Sequence, residues 1–189
     1  MSATALVPIA IGSEEIESVC IIDTLVRAGV TVTVASCEAD VVCKMSRGVV
    51  ILADKLIGEA VTSEYDLIAV PGGMPGAKTI GENTVFVDFL KKHVAAGKSY
   101  GAICAAPAVV LQKNGLIPSG TPATCYPAFA KELEARSEER VVTAGKLVTS
   151  QGPGTSIEFA LALIEQVKDK LDAEKADGVA KGMLVAGSA

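Results

Sequence analysis

Short apolar runs alternate along this chain with stretches whose apolar positions recur every three or four residues. That is the pattern of buried strands interleaved with amphipathic helices. Ala5 to Ala10 reads as a first buried strand. Ser13 is placed to cap a helix, with Glu14 and Glu15 in its first turn. Ile16, Val19, Ile22 and Val26 supply the apolar stripe of that helix. Gly29 ends it, and Val30 to Ala35 alternates as a second strand. Val41 to Leu52 reads as a hairpin turning at Ser46-Arg47-Gly48. Asp66 to Val70 is a third buried strand, closed by Pro71-Gly72-Gly73. Asn83 caps a helix running to about Ala96 and stopped by Gly97. Ser99 to Ile103 is a fourth strand, with a helix starting directly after it.

Thr121 to Cys125 and Val141 to Ser150 read as further short strands. Thr155 and Glu158 have the spacing of a capping box for a long helix to about Leu171. From about residue 172 the tail is Ala-, Lys- and Gly-rich and weakly patterned. The β-α-β alternation, with no internal repeat or linker, predicts one doubly wound, mostly parallel sheet with helices on both faces. All 189 residues are expected to form a single domain.

Composition agrees with that class. Half the residues are apolar but only 4% are aromatic, so the core is built from Val, Ile, Leu and Ala. The formal net charge is -5 and the pI about 5.0, with no basic cluster. This argues against nucleic acid or an anionic membrane as partner. The apolar start lacks a basic region and runs straight into Glu14, Glu15 and Glu17, unlike a secretory signal. Val185 to Ala189 matches no targeting address. The five cysteines are odd in number and include no CxxC pair. A reducing, cytoplasmic location with free thiols is therefore expected.

Sites in doubly wound sheets gather at the carboxyl ends of strands. That edge would collect Ile11 to Glu17, Pro71 to Gly76, and Ile103 to Pro107. In Gly101-Ala102-Ile103-Cys104-Ala105-Ala106-Pro107, Cys104 sits at a strand-to-helix turn with Ala102 and Ala106 two residues away on either side. A nucleophile on such a tight turn needs small neighbours there. The helix start is expected to favour the Cys104 thiolate and lower its pKa. The alternative is an inert, buried cysteine. Glu17 lies near the same edge and is either a proton-handling partner of that thiol or a plain helix carboxylate. Glu14 and Glu15 read as solvated carboxylates. Gly72 and Gly73 let backbone approach a ligand, and the N–H groups of Gly73 and Ala105 are placed to form an oxyanion hole.

Other chemistries fit less well. Gly72 to Thr79 approaches a phosphate-binding loop, but Ala77 replaces its second glycine and Pro75 removes an N–H. Gly152-Pro153-Gly154-Thr155-Ser156 lacks the third glycine of a dinucleotide fingerprint. The sole histidine, His93, reads as a surface residue far from the strand ends. No His/Cys cluster suggests a metal, so neither metal nor cofactor is expected.

Glu14-Glu15-Ile16-Glu17, Pro71-Gly72-Gly73, Ala102-Ile103-Cys104-Ala105 and Gly152-Pro153-Gly154-Thr155-Ser156 with Glu158-Phe159-Ala160-Leu161 occur together and in order. In this the chain resembles the ThiJ/PfpI superfamily, in its Parkinsonism-associated protein deglycase (glyoxalase III-like) branch, to about Val167. The resemblance implies a flavodoxin-like α/β sandwich and a homodimer. It implies Cys104 as reactive cysteine, Glu17 as its acid partner, and the oxyanion-hole role on Gly73 and Ala105. Gly72, Tyr126, Pro153 and Gly154 would belong to the pocket. Arg47 would order the thiolate region, and Arg27 would border it at the dimer interface. The implied activity is cofactor-free conversion of methylglyoxal, glyoxal or their early adducts, with protection against oxidative stress. The implied alternative is a redox-sensing, chaperone-like dimer whose cysteine oxidises to sulfinate.

Two departures stand out. Many family members have histidine where this chain has Tyr126, so a third general base is missing, since tyrosine is a poor base at neutral pH. Protease members carry histidine directly after the cysteine. Ala105 stands there, which counts against peptidase activity.

Overall fold

A computed structural model describes residues 2–187. Strands β1 (Thr4–Ile9), β2 (Thr31–Ser36), β5 (Lys55–Leu56), β6 (Leu67–Val70), β7 (Ser99–Ile103), β8 (Val141–Ala144) and β9 (Leu147–Ser150) form one sheet, ordered β5-β2-β1-β6-β7-β9-β8. Every pairing is parallel except the β8–β9 hairpin. A separate antiparallel hairpin, β3 (Val42–Lys44) and β4 (Val50–Leu52), turns at Ser46-Arg47-Gly48 as the sequence predicts.

Helices cover both faces. On one face α2 (Ile57–Ala60), α3 (Gly76–Glu82), α4 (Thr84–Ala95) and a π-helical stretch at Pro107–Gln112 bury Phe86, Leu90 and Leu111 against Leu6, Ile68 and Tyr100. On the other, α1 (Glu15–Arg27), α5 (Ser156–Glu165) and α6 (Ala173–Gly182) bury Ile21, Leu25, Phe159 and Leu163 against Val7, Ile9 and Ile103. The result is a three-layer, flavodoxin-like α/β sandwich. The central strands are buried on both faces, which is why they read as continuous apolar runs rather than alternating ones.

The structure corrects several expectations. The α1 stripe points the other way: Ile16, Val19 and Val26 are 53%, 49% and 51% exposed, while Glu17, Ser18, Ile21, Thr24 and Leu25 face the core. Both faces of α1 carry apolar residues, so periodicity alone does not decide which is buried. Glu14, not Ser13, caps α1, with its side chain accepting from the Glu17 N–H. Ser13 Oγ instead accepts from the Ala10 N–H. Thr121 to Cys125 is not a strand: it contributes one isolated bridge, Ala123 to Arg136.

Thr155 makes no cap bond to α5. Its hydroxyl is held by Ser150 Oγ and Gly152, while Glu158 pairs with Arg140. The helix ends at Glu165, short of Leu171. The weakly patterned tail contains α6, anchored by Ala176 and Val179 and capped by Asp172. Short β5, α2 and α3 also escape the pattern. His93 is buried, not a surface residue, with Nε2 2.8 Å from the Ser99 carbonyl. Ser188 and Ala189, which end the tail scanned for an address, lie outside the described residues. Among the described residues no helix is long and apolar enough to cross a membrane.

Candidate active site

Strand β7 ends at Ile103, and the chain turns at Cys104 with φ 65°, the left-handed region that non-glycine residues rarely occupy. Backbone bonds on both sides fix this turn. The Cys104 N–H donates to Ser150 O (3.0 Å), and its carbonyl accepts from the Tyr126 N–H (2.8 Å). The side chain is thereby held at the carboxyl end of the sheet, where β1 and β6 also end.

From the end of β6 come Gly72 and Gly73. A Cβ on Gly72 would fall 2.5 Å from Cys104 Cβ and 2.9 Å from Glu17 Oε2, so only glycine fits between the thiol and the carboxyl. Gly73 has φ 83°, and a Cβ there would lie 2.4 Å from the Glu14 nitrogen. This packing directs the Gly73 N–H at the Cys104 sulfur, and the Ala105 N–H reaches the same atom. Both N–H groups thus act on the thiol sulfur.

From α1 comes Glu17, wholly buried. Its Oε2 accepts from the Gly72 N–H (2.8 Å). The carboxyl also faces the Cys104 thiol, but Oε1 makes no hydrogen bond of good geometry. Burial, opposed by the Cys104 and Gly72 hydrogen bonds and reinforced by the charge of Glu14, pushes Glu17 up to about 7.

Burial, and then the charge of Glu17, pushes Cys104 up to about 12, against the pull of the Gly73 and Ala105 N–H groups. The expectation of a lowered thiol pKa therefore fails: desolvation first, and the like charge of Glu17 second, outweigh the backbone N–H groups at the turn. With Glu17 protonated the like-charge part of this shift is absent, and burial remains. The other cysteines lack this partner. Burial pushes Cys37 up to about 12 and Cys125 to about 11, and raises Cys20 and Cys43.

A cavity of about 390 Å³ opens onto the sulfur. Glu14, Arg47, Gly73, Ala105, Tyr126 and Pro153 line it, with Ser46, Met74 and Phe129. Gly154 lies in an adjoining groove with Tyr126 and Pro153, its carbonyl bound by Arg140 (2.8 Å). Arg27 is elsewhere, exposed on α1 and paired with Asp23 at 2.6 Å. Among the described residues no group of three or more His, Cys, Asp or Glu is placed to hold a metal ion.

Two carboxylates that read as solvated in the sequence are built into the site. Glu14 is 8% exposed and caps α1 with a bond to the Glu17 N–H. Glu15 Oε2 accepts from Ser46 Oγ (2.7 Å) and its Oε1 from the Arg47 N–H (2.7 Å), which clamps the β3–β4 turn beside the cavity. Burial pushes Glu15 up, but these bonds and that from Val49 outweigh it and hold the group below the ordinary value. Glutamate is not among the residues favoured at a helix N-cap, so this cap is not signalled in the sequence.

The DJ-1/PfpI family model matches residues 3–166. Protein DJ-1 homolog B of Arabidopsis thaliana is 48% identical over 85% of this chain. The chain spans 37% of that protein's length, and 46% of its paralogue, homolog A. Glutathione-independent glyoxalase DJR-1.2 of Caenorhabditis elegans is 32% identical, covering 92% of this chain and 91% of that protein. The solved structure of oxidized Toxoplasma gondii DJ-1 matches with TM-score 0.92 and 49% identity, over 98% of this chain and 100% of that one.

Proposed function

The chain belongs to the DJ-1/PfpI family, and on that premise we propose that it is a cofactor-independent glyoxalase or deglycase acting on methylglyoxal, glyoxal or their early adducts. The observation that carries this reading is the Cys104–Glu17 pair with the Gly73 and Ala105 N–H groups converging on its sulfur. A relative bearing the name glutathione-independent glyoxalase supports it.

The cycle starts with Glu17 protonated and Cys104 as the thiolate. The Cys104 thiolate attacks the aldehyde carbon, forming a C–S bond, and the oxyanion takes the Gly73 and Ala105 hydrogen bonds. Glu17 delivers its proton to that oxygen and becomes the carboxylate. It then removes the proton from the former aldehyde carbon and returns it to the neighbouring carbon, while the hydroxyl proton passes from the first oxygen to the former ketone oxygen. One carbon is oxidised and the other reduced, leaving a 2-hydroxyacyl thioester on Cys104. Water releases the hydroxy acid. A group near neutrality suits Glu17 for taking and giving the same proton.

The site acts within a homodimer on this reading. The outer face of α1 leaves Ile16, Val19 and Val26 about half exposed, and the hairpin exposes Val50 and Leu52. Apolar side chains left exposed in this way are compatible with such an interface. Arg27 stands on the same helix.

A second reading, a redox sensor, is favoured by Tyr126, which stands at the cavity wall in place of a histidine base. Two equivalents of peroxide would take the Cys104 thiolate to sulfinate, with protonated Glu17 as hydrogen-bond donor to the product. The deciding measurement is methylglyoxal loss and lactate formation without glutathione. Turnover by wild type, reduced about 10²-fold or more in Cys104→Ala and Glu17→Gln, supports the enzyme. A folded but inactive wild type moves the assignment to the sensor.

A further inference from the structure

The release of the acyl group from Cys104 needs a base that Glu17 is poorly placed to supply. Glu17 is sealed behind the sulfur, wholly buried and absent from the cavity wall. Water attacking the thioester carbon must arrive from the cavity side. Around that wall Ser46 donates its hydroxyl to Glu15, Arg47 is a cation, and Tyr126 offers a phenol, a poor base at neutral pH. The remaining titratable group is Glu14.

Its position is fixed from three directions. The Glu14 N–H donates to Gly72 O (3.0 Å), its nitrogen is packed against Gly73, and its Oε2 accepts from the Glu17 N–H (2.8 Å). Oε2 is the carboxylate oxygen used in this cap, and the Glu14 residue lines the cavity wall where Glu17 does not. The same residue thus packs against Gly73, sets the Glu17 backbone and lines the space that water enters.

We propose that Glu14 is the general base of the hydrolytic half-reaction, taking the place of the missing histidine. This rests on the glyoxalase reading above. Glu14 Oε1 accepts a proton from water as the water oxygen bonds to the thioester carbon. The resulting oxyanion is held by the Gly73 and Ala105 N–H groups. Collapse breaks the C–S bond, frees the hydroxy acid and returns the electron pair to sulfur, and Glu14 passes its proton to the thiolate. No external oxidant or reductant is needed. The two carboxylates divide the work: Glu17 isomerises and Glu14 hydrolyses.

The test is Glu14→Gln, which keeps an oxygen to cap α1 but cannot accept the proton. Rapid-quench kinetics with methylglyoxal are run on wild type, Glu14→Gln, Glu14→Asp, Glu17→Gln and Cys104→Ala. The expected result for Glu14→Gln is a burst of one thioester per active site, trapped as a hydroxamate by hydroxylamine. Steady-state lactate formation then falls by about 10²–10⁴-fold. Glu14→Asp should recover part of the steady-state rate, and Glu17→Gln should give no burst. If burst and steady state in Glu14→Gln fall together, Glu14 only positions Glu17 and the proposal is overturned. It is overturned equally if Glu14→Gln turns over at the wild-type rate. An inactive wild type refutes the glyoxalase reading itself, and is distinguished by the absence of any Cys104-dependent turnover.

Discussion

Strand β7 has a buried titratable residue at each end, and the two are treated oppositely. At its start His93 is sealed against α4 and the sheet, with Nε2 bonded to the Ser99 carbonyl at 2.8 Å. At its end Glu17 is sealed against Cys104 with one oxygen bonded and the other unpartnered. The contrast extends to the surroundings. The amino-terminal end is finished with ordinary turns and exposed ion pairs such as Lys98–Glu64. The carboxyl end packs glycines against backbone and holds Cys104 at a positive φ. Burial alone therefore does not mark chemistry. A buried group with an unsatisfied atom, facing a thiol held at a positive φ, is the stronger candidate for it.

Glycine substitution is the sharpest way to break the comparison. At the carboxyl end, Gly72→Ala places a methyl 2.5 Å from Cys104 Cβ and 2.8 Å from Ile103 O. Backbone on one side cannot yield. We expect turnover to fall by more than about 10²-fold and stability by about 1–3 kcal/mol. At the amino-terminal end, Gly97 has φ 70°, and a methyl added there would meet nothing within 4 Å. Gly97→Ala should cost about 1–2 kcal/mol of backbone strain and leave methylglyoxal turnover at the wild-type level. Equal activity losses in the two variants would refute the distinction.

Glu17→Gln tests the same contrast through stability. Folding raises the Glu17 pKa from 4.5 to about 7. The folded state binds a proton that the unfolded state has released, so stability is fully present below pH 4.5 and declines as pH rises through about 7. The loss from this one group is about 3 kcal/mol. A neutral amide has no such dependence. Urea unfolding should show Glu17→Gln more stable than wild type at pH 8 and nearly equal to it at pH 4.5, while inactive at both. A variant less stable at pH 8 would mean that the buried carboxylate is not the burden that its environment indicates.

Much of this is legible in the chain, and the parts that are not have physical causes. Buried strands announce themselves because both faces of the sheet are covered, and Cys104 is marked by Ala102 and Ala106 crowding a tight turn. The buried face of α1 is not legible because Ile16, Val19 and Val26 compete with Ile21 and Leu25, and a helix apolar on two sides has no single moment to read. Helix α6 leaves little trace because only Ala176 and Val179 of it are buried. The thiol pKa goes opposite to expectation because a helix start is visible in sequence, whereas the burial of the sulfur, and after it the Glu17 carboxylate from another element, is not. Glu14 and Glu15 look solvated because their partners, Glu17 N–H, Ser46 and Arg47, meet them only in the folded turn and hairpin. The same holds for His93, whose neighbour Ser99 lies just beyond the turn at Gly97.

His93 gives the smallest and most discriminating effect. Burial, aided by the charge of Lys98 and resisted by the Ser99 carbonyl and Asp66, lowers its pKa from 6.5. Here the unfolded chain takes the proton that the folded chain refuses. Stability from this group is present above pH 6.5 and lost as pH falls, the reverse of Glu17. His93→Ala leaves the Ser99 carbonyl without that partner and should cost about 1–2 kcal/mol at pH 8. The deficit should shrink by about pH 5.5, because wild type has by then given up part of the advantage. Methylglyoxal turnover should stay unchanged at both values, since no atom of His93 reaches the cavity. A turnover loss in folded His93→Ala would show the two ends of β7 to be coupled, and the division between a structural end and a reactive end would have to be abandoned.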